Sequence, residues 1–451
     1  MNLYQSYADI NIKLPQGKAG YIGKGDTDIR ISGVPDPECR RMRYPKIGIY
    51  AGSGTSHSWL WFVDMFERMG FHAVSVLDAP AVRSGRLQQM DVLAVSGGDT
   101  VAIAEALGED GARQMAAFIA GGGVYLGACA GAYLVMNSSK PHLCNFNFAA
   151  VKITNLSKRL PMCHDMPHKF SMAYGCEYIF NPVREAVGLR LTGVPPFSGE
   201  PALLAPLYGG PGMLAPPEAQ VLARYDHFTD KTVFLVDKDL ARDTLIHMAA
   251  ALRVPMGNGQ MYLFGPHFEH PHYPRANRLV ADAVYRDSRR NPDGRSPVAR
   301  DALQLPSSES ANLIRSLRRE LSNSRIVAAG LEMLPVRWLI GAKVYEPEKI
   351  RVFLDAMWRR LKPLEKKGRI WARAGVPDLL MADACETTAL LRRLKNELDQ
   401  ESVTDPIART LFNLLHRNTM RFFELYFQTI SNNLTPIGAK IESSYPPKRF
   451  S

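Results

Sequence analysis

Residues 123–131, Gly-Val-Tyr-Leu-Gly-Ala-Cys-Ala-Gly, constrain the fold more than any other stretch of this chain. The β-prone run Val124-Tyr125-Leu126 meets Gly127-Ala128-Cys129-Ala130-Gly131, and a helix-like run follows from Ala132 to Met136. A strand that turns at once into a helix holds the residue between them in a strained backbone, with its side chain clear of the sheet. Small neighbours are required because the two backbones come close together there. A cysteine at such an apex suits covalent chemistry, since a thiolate is a strong nucleophile and a helix start lowers its pKa. The other reading is a small-residue turn with a buried, inert cysteine.

Two further stretches bear on that choice. Met261 to Phe264 reads as a strand, Gly265-Pro266 ends it, and His267 and Glu269 follow two residues apart. In an extended segment such positions point the same way. A thiol needs a base to take its proton, and the base needs a carboxylate to hold its tautomer. Cys129, His267 and Glu269 supply those three groups. Against this stands the reading of His267 as an ordinary member of a His-rich loop with His270 and His272. Earlier, Asp91-Val-Leu-Ala-Val-Ser-Gly97-Gly98-Asp99-Thr100 reads as a buried strand running into a glycine turn, with Asp99 or Thr100 capping the next helix. Glycines there free backbone N–H groups to face a developing oxyanion.

The order of elements gives the class. Predicted strands at 46–50, 71–77, 91–95 and 123–127 alternate with predicted helices at 58–69, 81–89, 100–107, 111–120 and after Cys129. Alternating βα units predict a doubly wound parallel sheet. Reactive groups in such sheets gather at the C-terminal ends of strands, where the Ala51–Ser56 loop, the Gly97-Gly98 turn and Cys129 all fall. Residues 138–230 predict short strands and loops covering the pocket. Strands resume near 232–236 and 261–264, and a helix at 274–287 closes the domain. A polar segment at 289–306 reads as a linker. From 307 to 451 the apolar spacing is helical (309–323, 347–362, 379–398, 405–431), so this part is expected to be all-α, with Phe412, Phe422 and Phe423 in its core. Residues 1–44, rich in Gly, Pro and charge, read as an extension.

Several stretches resemble the class I glutamine amidotransferase-like fold, which is flavodoxin-like. Within it they resemble the domain found at the N-terminus of biotin-protein ligases and as separate bacterial proteins. They are Ile47 to Ser56, Ser96-Gly97-Gly98-Asp99, Gly122 to Tyr133, Tyr208-Gly209-Gly210-Pro211, Val221 to Tyr225, and Gly265 to His270, in that order over about 45–285. The resemblance implies a domain at 45–288 with Cys129, His267 and Glu269 as catalytic residues. Phe268 stands where such proteins usually have proline between the His and Glu, and it fixes the backbone less than a proline ring would. Biotin ligation is not implied, because no Gly/Arg-rich phosphate-holding loop occurs in 290–451.

Composition excludes some classes. At 451 residues, with 46% hydrophobic and 22% charged residues, two domains of ordinary globular character are expected. No run of apolar residues is long enough to be a signal peptide or a membrane span, so a cytoplasmic protein is expected. Cysteines 39, 129, 144, 163, 176 and 385 are scattered, and reduced thiols follow. The net charge of +11 is concentrated beyond residue 300, at helical spacings with acids between, which reads as a solvated helix face rather than a nucleic-acid surface. No cofactor or metal is expected. His142, Cys144, Cys163, His164 and His168 fit no zinc spacing, and neither do the three histidines at 267–272.

Two functional readings follow. In one, the chain is a cysteine-dependent amidase or amidotransferase acting on a small glutamine-type amide, with backbone groups at Gly97, Gly98 and Ala130 holding the oxyanion. An ammonia acceptor would then lie on a separate synthase, or the reaction would be plain hydrolysis. In the other, the fold is catalytically silent and serves as a binding module, with the helical region as the surface for a protein partner.

Overall fold

The computed structural model describes residues 45–154, 182–194, 201–288, 302–340, 343–400 and 403–433. The 1–44 extension, Cys163, His164 and His168, and most of the 289–306 linker lie outside them.

The first half of the chain alternates as its sequence pattern requires. In order it runs β1 (Ile47–Tyr50), α1 (Trp59–Arg68), β2 (Val74–Leu77), α2 (Ala79–Arg83), β3 (Val92–Val95), α3 (Thr100–Ala120), β4 (Val124–Ala128) and α4 (Ala130–Val135). The helix expected at 81–89 is broken. Gly85 takes φ 84° and separates α2 from a 3₁₀ turn at Arg86–Gln89. The two helices expected at 100–107 and 111–120 run on from each other through Gly108, whose φ is 61°.

Next come β5 (Lys152–Ile153), β6 (Val183–Leu191), β7 (Ala202–Leu207), β8 (Met213–Leu214), β9 (Gln220–Phe228) and β10 (Val233–Phe234). Then follow α5 (Lys238–Leu245), β11 (Ala249–Met256), β12 (Gly259–Phe264) and α6 (Pro274–Ser288). The main sheet runs β10-β6-β9-β11-β12-β4-β3-β1-β2. Its β12-β4-β3-β1-β2 half is parallel, the doubly wound order that the sequence predicts. The other half is antiparallel. The segment expected to hold only short strands thus contributes nine-residue β6 and β9 to one extended sheet.

Strand alternation sends side chains to two faces. Val124 and Leu126 of β4 enter the core under α1 and α6, whereas Tyr125 enters the core under α2, α3 and α4.

The helical region comprises β13 (Ala302–Gln304), α7 (Ser307–Leu331), β14 (Trp338–Ile340), β15 (Lys343–Tyr345), α8 (Pro347–Lys367), β16 (Trp371–Arg373), α9 (Val376–Asp399) and α10 (Asp405–Asn433). All four predicted helices are present. The region also contains two small antiparallel pairs, β13 with β16 and β14 with β15. Residues 302–304, expected in the linker, are therefore part of a sheet. Phe412, Phe422 and Phe423 are buried, as their spacing implies. The buried face of α10 packs on α8 and α9 but is not confined to its own bundle. It joins the core under α1 in one continuous cluster, with Trp59 edge-on to Phe423 at 5.9 Å.

Among the described residues no helix is long and apolar enough to cross a membrane.

Candidate active site

Cys129 stands between β4 and α4 at φ 52° and ψ −109°. An L-residue takes that conformation only when its surroundings over-determine it. Here they do. The Cys129 N–H donates to the Phe264 carbonyl on β12 at 2.9 Å, and its own carbonyl accepts from Ala132 and Tyr133 N–H, each at 3.0 Å. The flanking glycines have no room for a methyl group. A Cβ on Gly127 would lie 2.5 Å from the Gly131 carbonyl oxygen, and one on Gly131 would lie 2.1 Å from that of Val95. Cys129 is 8% exposed, and its thiol approaches the Tyr208 carbonyl at 3.8 Å.

His267 arrives from the neighbouring strand. After β12, Gly265 passes directly under the Tyr208–Pro211 turn, where a Cβ on Gly210 would fall 1.8 Å from the Gly265 carbonyl. The segment then bends. Phe268 N–H donates to the Pro266 carbonyl at 3.2 Å, and His270 N–H to the His267 carbonyl at 3.1 Å. His267 and Glu269 therefore meet across a turn and not, as expected, along an extended strand. The result is nonetheless a short contact, His267 Nδ1 to Glu269 Oε1 at 2.7 Å, both groups being buried.

Phe268 fixes this turn by packing where a proline would fix it by its ring. It is fully buried, stacks on Phe264 at 5.0 Å, and its carbonyl accepts from Asn277 Nδ2 at 2.7 Å.

The Gly97-Gly98 turn closes the third side. Asp99 N–H donates to the Gly54 carbonyl at 2.7 Å and Ser56 N–H to the Gly97 carbonyl at 3.0 Å. These bonds flank a Thr55–Gly98 bridge and do not use the Gly98 N–H. The Ala130 N–H, at the first position of α4, is one of the orphan donors of a helix start. Gly97 lies under the imidazole, where a Cβ would come within 2.8 Å of His267 Cε1. Asp99, not Thr100, caps α3, its Oδ1 accepting from Val101 and Ala102 N–H at 3.1 Å each.

The sequence reading did not single out several groups that hold this centre. Ser96 donates to Glu269 Oε1 at 2.9 Å and lies 2.8 Å from the Ser58 hydroxyl. Glu269 Oε2 is buried and has no hydrogen-bond partner among the described residues. Trp61 stands edge-on to His267 at 5.1 Å and to His270 at 4.5 Å. The Tyr208 ring lies 5.7 Å from His267, with its hydroxyl donating to Glu185 at 3.0 Å. The only advance signal for Ser96 and Tyr208 was that each sits in a stretch carrying the resemblance.

Two histidines three residues apart are driven in opposite directions. Burial pulls the His267 pKa down, but the Glu269 charge and the hydrogen bonds with Cys129 and Glu269 outweigh it and raise the value to about 10. His270 has no such partner. Burial first, then the charges of His272, His267, Arg68 and Lys349, press it down to about 3. The surroundings therefore favour a proton on the ring beside Cys129 and disfavour one on the outer ring. His142 pairs with Glu105 at 3.2 Å, and no described group of three metal-ligating side chains is arranged to hold an ion.

This geometry sits in a recognisable sequence context. The family described as biotin-protein ligase, N-terminal, matches residues 46–297. No curated protein matches the chain. Among solved structures, a glutamine amidotransferase from Thermotoga maritima shares 12% identity over 55% of this chain and 87% of its own, with a TM-score of 0.31. A cytoplasmic protein from Salmonella typhimurium shares 11% over 54% of this chain and 98% of its own, at 0.32. A β-galactosidase from Bacillus circulans sp. alkalophilus shares 12% over 54% of this chain but only 31% of its own length, also at 0.32. Likenesses this distant say nothing of chemistry. The family match covers more than half the chain and includes every residue of the site, and by it this protein belongs to the biotin-protein ligase N-terminal family.

Proposed function

We propose that the chain is a cysteine-dependent C–N hydrolase or amidotransferase-like enzyme acting on a small glutamine-type amide, without biotin ligase activity. The observation that carries this is the buried His267–Glu269 pair at 2.7 Å beside a cysteine held at φ 52°. Glu269 fixes the Nδ1 tautomer, which turns Nε2 toward the thiol, and the raised His267 pKa favours a thiolate–imidazolium pair.

In the reaction, Sγ attacks the amide carbon, and the oxyanion is held by the N–H groups of Gly98 and Ala130. His267 gives its proton to the departing nitrogen as the C–N bond breaks, leaving a thioester. A water then loses a proton to His267 and attacks the thioester carbon. The acid leaves, and Sγ recovers the starting thiolate. Gly97 has a steric part in this scheme, leaving room for the imidazole. Any ammonia acceptor lies on another protein, and the helical region is a candidate docking surface for it. The scattered cysteines accord with a reducing, cytoplasmic setting.

A binding-module reading has one observation in its favour, the 8% exposure of Cys129. The two readings part on treatment with a glutamine-mimicking, thiol-trapping electrophile followed by peptide mass spectrometry. An active centre gives one adduct, on Cys129, that weakens in His267→Ala. A silent one gives no preference for Cys129 with this trap or with a generic alkylator.

A further inference from the structure

α1 is held from two sides. On one stripe it carries Trp61, set edge-on to His267, and Arg68, seven residues on. Arg68 donates to the Asn277 side-chain oxygen at 2.9 Å and to the Pro271 carbonyl at 3.1 Å. Asn277 in turn donates to the Phe268 carbonyl at 2.7 Å and the His270 carbonyl at 3.0 Å. α1 is thereby tied to the whole His267–Pro271 turn.

On the adjoining stripe, Asp64 and Glu67 face the helical region. Arg360 of α8, 4% exposed, donates to Asp64 at 2.7 Å and Glu67 at 2.5 Å. Arg359 adds a bond to Asp64 at 3.1 Å, and Tyr426 of α10 donates to Glu67. The Arg360 guanidinium lies over the Phe423 ring at 4.8 Å. A planar cation that grips two carboxylates and stacks on an aromatic ring fixes a helix's rotation as well as its distance. The helical region also reaches the rim of the site. His270 feels the charge of Lys349 at the start of α8, and Tyr345 of β15, whose phenol is pushed up by burial, also feels the charge of Asp99.

From this we propose that the helical region is a positioning element of the Cys129 site, with Arg360 as the positioning residue that acts through α1 on the His267–Pro271 turn. The proposal rests on the catalytic reading for its consequence in chemistry, but not for its structural content. It also gives the fusion of the helical region to the sheet a purpose other than tethering.

The test uses the full chain with Arg360→Met and Arg360→Lys. The rate of Cys129 alkylation is followed against pH, Cys144 and Cys385, both exposed and free, serving as internal references. Amide hydrogen exchange in 267–273 is read on the same samples. Loss of the bonds to Asp64 and Glu67 is expected to slow Cys129 by about ten-fold in Arg360→Met, as sub-ångström misplacement of catalytic groups does. The effect is smaller in Arg360→Lys, the His267-dependent part of the pH profile shifts, and the reference thiols are unchanged. Exchange in 267–273 rises while β4 keeps its protection. A folded Arg360→Met protein with the wild-type profile and wild-type exchange overturns the proposal.

If Arg360→Met does not fold, Tyr426→Phe, which loosens Glu67 alone, is read in the same way. Unchanged exchange in that variant and in Arg360→Lys overturns the proposal. If wild-type Cys129 proves no more reactive than the references, the catalytic reading fails, and the exchange data still decide the positioning role.

Discussion

The sheet edge around Cys129 and the helical region are built on different principles, and their glycines show it. At the sheet edge the backbone itself is packed. A Cβ on Gly98 would lie 2.2 Å from the Gly54 carbonyl, and those on Gly131 and Gly210 would come closer still to other carbonyls. In the helical region, Gly330, Gly368 and Gly375 have no atom within 4 Å of a Cβ position. The first region fixes its shape by close backbone approach, which places a few polar side chains to fractions of an ångström. The second fixes its shape by apolar side chains at helical spacing, with a buried ion-pair cluster where it meets α1. Motifs therefore mark the first region and periodicity the second.

The largest effect that sharpens this contrast is chemical. His267→Ala is expected to lower the reactivity of Cys129 at neutral pH by about 10²–10⁴-fold, the range of a positioned acid–base, and to leave Cys144 and Cys385 unaffected. Competitive labelling with a heavy and a light alkylator reads all three thiols at once.

Next come two matched substitutions, followed by urea unfolding. Gly131→Ala drives a methyl into the Val95 carbonyl and is expected to destabilise by about 1–3 kcal/mol, the usual overpacking range. Gly330→Ala, with open space inside α7, is expected to stabilise by about 0.4–1 kcal/mol. Equal signs in the two variants break the comparison.

The histidines give a pH signature. The pKa of His267 is raised in the folded state to about 10, above its unfolded value near 6.5. Its stabilising contribution is therefore complete below about pH 6.5 and is lost as pH rises toward about 10. The pKa of His270 is depressed to about 3, so the folded state binds fewer protons there, and stability is lost as pH falls below about 6.5. Urea midpoints measured across that range should peak near neutrality, with the alkaline fall blunted in His267→Gln and the acid fall blunted in His270→Asn.

The smallest expected effect lies on the helical surface. Ile326→Ser, at a side chain 69% exposed, should shift stability by no more than about 0.5 kcal/mol in thermal unfolding.

The parallel half of the sheet and all four long helices of the second region were legible because each follows an unbroken period. β6 was not. Glu185 takes φ 69° and the pairing with β9 shifts register at Gly188, so the two-residue alternation is interrupted just where it would be counted. β13 and β16 are short, and only their pairing makes them strands. At the site, Cys129, His267, Glu269 and the glycine turn were legible because local backbone requirements leave a local signature. Ser96, Ser58, Trp61 and Tyr208 were not, because what gives them a role is contact across the chain, such as that between Ser96 and Glu269, 173 positions apart. Arg360 lies further out still. In the sequence it is one more arginine on a solvated helix face, and only Asp64 and Glu67 make it otherwise.

The most direct measurement on the central claim is the pH–rate profile of Cys129 carboxamidomethylation against those of Cys144 and Cys385 in the same protein. A Cys129 activated by the His267–Glu269 pair reacts faster than the two exposed thiols near neutral pH, and that advantage is lost in His267→Ala. A Cys129 rate that climbs in parallel with the reference thiols, unchanged by His267→Ala, would contradict the account.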